Sequence, residues 1–259
     1  MKLAVCVKQV ATLDDEFELD DGVLDAELEP ELNEWDDFSL EAALLLREQA
    51  AEGGEVVAIT VGDADAEEVL RECLARGADR TVRVWDPALD AGDVLAVAAS
   101  LAAALEREGP DLVLCGVQSS DAANGATGIA VAGILGVPHV AVVRSLEYDE
   151  DGRSLTVRRE LEGGTVELLR LRLPALLTIQ TGINKPRYAN LRAIKQAREK
   201  PLEVVSLSDL GLAGGALPRA AGSRRLGRPQ SGAGAQMLEG SAAELAGRIR
   251  EIVEERMSS

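Results

Sequence analysis

Apolar residues gather in short blocks along this chain, and the spacing of polar residues between the blocks changes twice. The first block, KLAVCVKQV at 2–10, is a continuous apolar, valine-containing run of the kind a strand buried on both faces requires. After an acidic stretch, NEWDDFSLEAALLLREQAAEGG at 33–54 has helical spacing, with Asp36 or Asp37 as the expected cap and Gly53 as the expected stop. A repeat follows: EVVAITVG as strand, ADAEEVLRECLARGA as helix, RTVRVWD as strand, DAGDVLAVAASLAAALEREG as helix, DLVLCGVQ as strand and NGATGIAVAGILG as helix. Strands alternating with helices of this length predict right-handed crossovers and a mostly parallel, doubly wound sheet covered on both faces, an α/β fold.

From residue 139 the rhythm changes. Turn signals at 149–152 (DEDG) and 162–164 (EGG) separate runs such as SLTVRREL and TVELLRLRL, whose partial alternation predicts added antiparallel strands with one wet face. Residues 181–205 predict a loop, a short helix and a return to an apolar strand. The segment LAGGALPRAAGSRRLGRPQSGAGAQ at 212–236 is rich in Gly, Ala, Pro and Arg and predicts an extended arm. A final helix at 241–257 begins with a Ser241 to Glu244 capping box. The organisation expected is an α/β domain over 1–212 and a C-terminal arm and helix over 213–259.

Composition narrows what such a fold does. With 45 acidic against 27 basic residues the formal charge is -18, so a nucleic-acid duplex or an anionic bilayer is repelled by the average surface. Aromatics are 2% of the chain, too few to stack a single strand of bases. No apolar run reaches the roughly 18 residues of a membrane span, and the N-terminus turns acidic where a secretion signal would be cleaved. A cytoplasmic protein is expected, neither bound to nucleic acid nor embedded in a membrane. Cys6, Cys73 and Cys115 lie far apart inside apolar segments and read as buried small side chains. The single histidine, His139, leaves little for a metal site or for acid/base chemistry, so no catalytic residue and no metal ligand is assigned.

Two stretches carry candidate chemistry. GVQSSDAANGATG at 116–128 leaves the carboxyl end of a predicted parallel strand, where open α/β sheets bind ligands. One reading is a nucleotide phosphate held by backbone N–H groups at a helix beginning near Asn124 or Gly125, helped by the hydroxyls of Ser119, Ser120 and Thr127. The other is an ordinary strand-to-helix loop capped by Asp121 or Asn124; the residues alone leave both open, since neither GxGxxG nor GxxxxGK[ST] is present. A serine-hydrolase elbow needs GxSxG, which GVQSS does not supply, and nucleotide hydrolysis needs a phosphate-directed Lys or Arg that this stretch lacks. A nicotinamide dehydrogenase needs a glycine turn after the first strand, where KQVATLDDEF stands. The second stretch, KPRYANLRAIKQAREK at 185–200, has six basic residues against one acidic. It is either a dock for an acidic partner with Tyr188 or Leu191 as apolar anchor, or an amphipathic helix whose Leu191 and Ile194 are core.

Together these pieces resemble the beta subunit of the electron transfer flavoprotein family. The strongest match is PALLTIQTGINKPRYANLRAIKQAREKPLEVVSLSDLGL at 174–212. LAVCVKQV, LNEWDDFSLEAALLLRE, ITVGDADAEEVLRECLARGADR and VLCGVQSSDAANGATG support it. The resemblance implies an electron carrier, not an enzyme, paired with an alpha subunit that holds most of a redox-active FAD. It implies AMP, or a second FAD, in this subunit, surrounded by Cys6, Asn33, Glu34, Trp35, Asp36 and Val61, and by Gly116, Gln118, Ser119, Ser120, Asp121, Asn124, Gly125, Ala126 and Thr127. It makes Leu191 the anchor for partner flavin dehydrogenases, flanked by Tyr188, Ile194 and Lys195, with a quinone oxidoreductase as acceptor, and places Trp35 near the flavin. This chain departs from the family at Ala122, Ala123 and Ala126, where polar residues are usual, which leaves backbone N–H groups and Thr127 to hold a phosphate. The alternative from another class is a homo-oligomeric adenine-nucleotide-binding module of the universal stress protein type.

Overall fold

A computed structural model describes residues 1–11, 19–20, 23–24, 30–50, 53–89, 93–149, 153–212, 217–218, 235 and 237–258. In chain order the strands and helices are β1 (Lys2–Cys6), β2 (Gln9–Ala11), β3 (Leu19–Asp20), β4 (Val23–Leu24), β5 (Pro30–Leu32), α1 (Glu34–Gln49), β6 (Glu55–Val61), α2 (Glu67–Arg76) and β7 (Arg80–Val84). They continue with α3 (Val94–Glu108), β8 (Leu112–Gly116), α4 (Thr127–Leu135), β9 (His139–Asp149), β10 (Ser154–Glu160), β11 (Val166–Arg172), β12 (Ala175–Ile179), α5 (Leu191–Ala197), β13 (Leu202–Val205) and α6 (Ala242–Met257). Two compact units result, one within Met1–Phe17 and Ala26–Ser223, the other within Glu18–Asp25 and Arg224–Ser259.

The first unit is built on a nine-stranded sheet in the order β11-β10-β9-β12-β8-β1-β6-β7-β13. Every pairing from β9 to β13 along that order is parallel. The chain lays β6 and β7 on one side of β1, returns to place β8 on the other, and later inserts β12 beside β8. Right-handed crossovers therefore put the helices of outward and returning connections on opposite faces. The core obeys this. Leu3 and Val5 of β1 pack with α1 and α2 residues such as Leu40, Leu44 and Leu70. Ala4 and Cys6 point the other way, with Leu101 and Leu105 of α3 and Val131 of α4. Burial on both faces is why these strands are continuous apolar runs in the sequence.

Past β12 and β9, the strands β9, β10 and β11 form an antiparallel meander with a wet face, on which Val166 and Leu168 are exposed. The expected sheet, parallel with antiparallel additions, is thus what forms, with one refinement: β9 is antiparallel only to β10 and runs parallel to β12.

Four local expectations need correction. The run 2–10 is two strands, because Lys8 gives its N–H to the Asp36 carboxylate at 2.8 Å and its carbonyl accepts the Asn33 N–H at 3.0 Å, turning the chain out of the sheet. The first helix starts after Asn33, not at Asp36 or Asp37. It ends at Gln49, before Gly53, with Ala50 bonded back to Leu46. The helix after β8 starts at Thr127 rather than near Asn124 or Gly125, behind Ala126, because Ala123 and Gly125 hold left-handed backbone that a right-handed helix cannot include.

The second unit contains the two-stranded β3-β4 ladder and α6. In α6 the Ser241 N–H donates to the Glu244 carboxylate at 2.8 Å, as the capping-box spacing predicts. No α6 residue is buried, and Ile249, Val253 and Met257 are exposed. Most of the expected extended arm and half of the acidic stretch at 14–37 fall outside the described residues.

Candidate nucleotide crevice and docking segment

The strand order reverses between β1 and β8, so the connections leaving their carboxyl ends part to opposite faces of the sheet, the position where open α/β sheets have a ligand crevice. The antiparallel pairing of β2 with β5 delivers the start of α1 to this point, setting Asn33 beside Lys8. Asp36 then bridges the two strands. One carboxylate oxygen accepts the N–H of Lys8 at 2.8 Å, at the end of β1, and the other accepts the N–H of Gly116 at 2.9 Å, at the end of β8. Burial pushes the Asp36 carboxyl up to about 7 against the pull of these bonds.

Gly116 has no alternative. A Cβ there would lie 2.5 Å from Asp36 Oδ1 and 2.6 Å from Trp35 Cβ, closer than any side chain is accommodated. The loop beyond it is held from outside by Asn33, which is buried. Its Nδ2 donates to the Gln118 carbonyl at 2.9 Å and its Oδ1 accepts the Ser120 N–H at 3.2 Å. Val117 N–H donates to the Ile179 carbonyl at 3.2 Å and Ala123 N–H to the Ser119 carbonyl at 2.9 Å, closing the loop on itself. Ala123 at φ 46° and Gly125 at φ 58° are both left-handed, which glycine adopts freely and alanine only under constraint.

Of the residues assigned to the nucleotide, Cys6, Asn33, Asp36, Gly116, Gln118, Ser119, Ser120 and Asp121 come together around this crevice, with Asn124, Gly125, Ala126 and Thr127 continuing into α4. Cys6 and Cys115 are in register on β1 and β8, both buried. The Cys6 hydrogen bond and burial push the Cys115 thiol up, which makes it a poor nucleophile. Trp35 is half-buried and its Nε1 donates to Gln180 Oε1 at 3.0 Å, just past β12. Glu34 is exposed, and Val61 ends β6 on the other side of β1, packed into the core around Leu89 and Leu207. The sequence reading missed Lys8. The basic residue lacking from the glycine-rich stretch arrives from the end of β1, where Lys8 Nζ donates to both Asp121 oxygens at 2.6 and 2.7 Å and to Ser119 Oγ at 3.3 Å. Its position just beyond a predicted strand end was the available signal.

The basic stretch resolves differently. Arg187 forks across α1, with Nε 2.8 Å from Glu41 Oε2, Nη2 2.9 Å from Glu41 Oε1 and Nη1 2.7 Å from Glu48 Oε1. Asn184 Nδ2 donates to the Phe38 carbonyl at 2.9 Å. At the other end, Lys200 Nζ donates to the carbonyls closing α2, Leu74 and Ala78, and Arg71 Nη1 caps α5 through the Ala197 and Lys200 carbonyls. Between these rivets Tyr188 is 91% exposed, Leu191 79% and Ile194 43%, so the alternative in which Leu191 and Ile194 are core is excluded. Lys195 is exposed beside them, and neither it nor Arg192 or Arg198 makes an ion pair among the described residues.

A family model for the electron transfer flavoprotein domain matches residues 21–210. An electron transfer flavoprotein subunit beta of Methylophilus methylotrophus is 47% identical over 261 residues, 98% of each chain. The caffeyl-CoA reductase-Etf complex subunit CarD of Acetobacterium woodii is 33% identical over 99% of each chain, and the human electron transfer flavoprotein subunit beta 37% identical over 74% of each. None of these relatives supports the universal stress protein alternative. With its switch-point crevice, its exposed basic segment and these relatives, the chain belongs to the electron transfer flavoprotein family, on the side of its beta subunits.

Proposed function

We propose that this chain pairs with an electron transfer flavoprotein alpha subunit into a cytoplasmic heterodimer. That heterodimer takes electrons from flavin dehydrogenases, such as acyl-CoA dehydrogenases, and passes them to a quinone oxidoreductase or other acceptor. The observation that carries the reading is the loop 117–126, hung from α1 and β1 at the switch point in front of a helix that no side chain caps. The first-turn N–H groups and the positive end of α4 fit an anionic phosphate, and the exposed glycine at 125 leaves the main chain approachable. AMP or a second FAD is the nucleotide assigned to the crevice. FAD, held mostly by the alpha subunit, supplies the redox chemistry. This chain's own residues hold the nucleotide, shape the subunit seam and dock the partner, without catalytic groups of their own.

Trp35, turned by its bond to Gln180, is assigned to the isoalloxazine or to the subunit seam; loss of flavin retention and of subunit association in Trp35→Ala tests it. Tyr188, Leu191, Ile194 and Lys195 are assigned to docking, where one apolar anchor in a polar rim suits a transient contact. The Acetobacterium relative's name joins it to a reductase of a CoA thioester, which supports CoA-linked flavin enzymes as partners. The arm and helix over 213–259, with the apolar face of α6, are assigned to the alpha subunit. Release of bound nucleotide from the co-expressed pair, quantified by chromatography, tests the whole. One FAD with one AMP, or two FAD, is expected; one FAD with no further adenine nucleotide overturns the crevice assignment.

A further inference from the structure

An aspartate in a phosphate-binding loop is an anomaly, because its charge repels the ligand that the loop's N–H groups attract. Asp121 lies in the middle of the glycine-rich stretch, and its carboxylate is partly exposed. Lys8 meets it with both oxygens in hydrogen-bond reach of one ammonium, and the same ammonium takes in Ser119. The Lys8 side chain is 42% exposed, but its main chain is held in place. Its N–H is fixed by Asp36 and its carbonyl by Asn33, so the root of the side chain is locked at the mouth of the crevice. Burial alone would raise the Asp121 carboxyl, yet the bonds from Lys8 and Ser119 hold it below the usual carboxylate range, so it is charged and in need of its counter-ion.

We propose that Lys8 is the specificity-determining cation of the crevice: it neutralises Asp121, so that the loop admits the phosphate of an adenine nucleotide instead of repelling it. The inference rests on the nucleotide reading above. It separates two roles that a loop latch and a charge balance would otherwise share, since a latch serves any ligand of the loop and a charge balance serves only an anionic one.

The test is calorimetric titration of the full chain, freed of nucleotide, with AMP and with adenosine. Lys8→Gln is expected to weaken AMP about tenfold, equivalent to about 1.4 kcal/mol, while adenosine changes by less than about twofold. Adding Asp121→Asn in the Lys8→Gln background is expected to restore AMP to within about threefold of the unaltered chain, because the uncompensated carboxylate is gone. Equal weakening of AMP and adenosine, or no recovery in the double variant, overturns the charge-balance role in favour of a latch. Unchanged AMP affinity in Lys8→Gln overturns it outright. Failure of the unaltered chain to bind either compound removes the nucleotide reading instead, and this inference with it.

Discussion

The crevice and the docking segment are both polar, yet they spend their side chains in opposite ways. Around the proposed crevice, Asn33, Asp36, Lys8 and Asp121 are all engaged within the chain, which leaves main chain and Thr127 for the proposed phosphate. In the proposed docking segment the long-range bonds belong to Asn184, Arg187 and Lys200 toward its two ends, and Tyr188, Leu191 and Ile194 between them are exposed. On the proposed reading, a site that holds a phosphate through N–H groups needs rigid backbone, and its polar side chains serve as scaffold. A site that must release its partner quickly needs a small exposed anchor on a firm mount.

Substitutions break this contrast in a defined order. Gly116→Ala is expected to cost the most, about 3 kcal/mol, since its methyl would drive Asp36 and Trp35 from their places; a lowered urea midpoint with unchanged slope checks it. Next comes pH. Folded Asp36 keeps its proton up to about 7, whereas an ordinary aspartate loses it near 3.8, so the folded chain binds the extra proton between these values. Stability contributed by this group is therefore expected to fall as pH rises from about 4 to about 7, and Asp36→Asn is expected to flatten that slope in urea titrations.

Leu191→Ala is expected to leave stability within about 0.5 kcal/mol, because the side chain covers no core. Reduction of the reconstituted heterodimer by its dehydrogenase is expected to slow roughly thirtyfold, the size of a central anchor, with FAD content unchanged; an unchanged rate would deny Leu191 its role. The smallest effect is expected from Arg187→Lys, about 1 kcal/mol. It keeps the charge but cannot fork onto Glu41 and Glu48 together, and it should raise the apparent KM for the dehydrogenase more than it lowers kcat.

The strands and helices of the doubly wound sheet were legible because burial on both faces writes itself as continuous apolar runs. What escaped was whatever depends on residues distant in sequence. The break at Lys8 is made by Asn33 and Asp36, and Asp121 is taken by Lys8, 113 positions away, instead of capping α4. Cap rules see only neighbours, so Asp121 and Asn124 looked like caps. Leu191 and Ile194 have the spacing of a core stripe. Their exposure accompanies a helix of seven residues fastened beyond its carboxyl end by Arg71 and Lys200 and ahead of its amino end by Arg187, which composition does not reveal. The resemblance to known subunits implied an outward Leu191 where residue patterns favoured burial, and the side chain is exposed.

The three cysteines bear on how these questions are asked. All are free and buried; burial raises the Cys73 thiol, and Cys115 is raised with it. A maleimide applied to the folded chain therefore finds no ready native target, and a cysteine placed at position 191 would carry a single probe on the surface proposed to receive a partner.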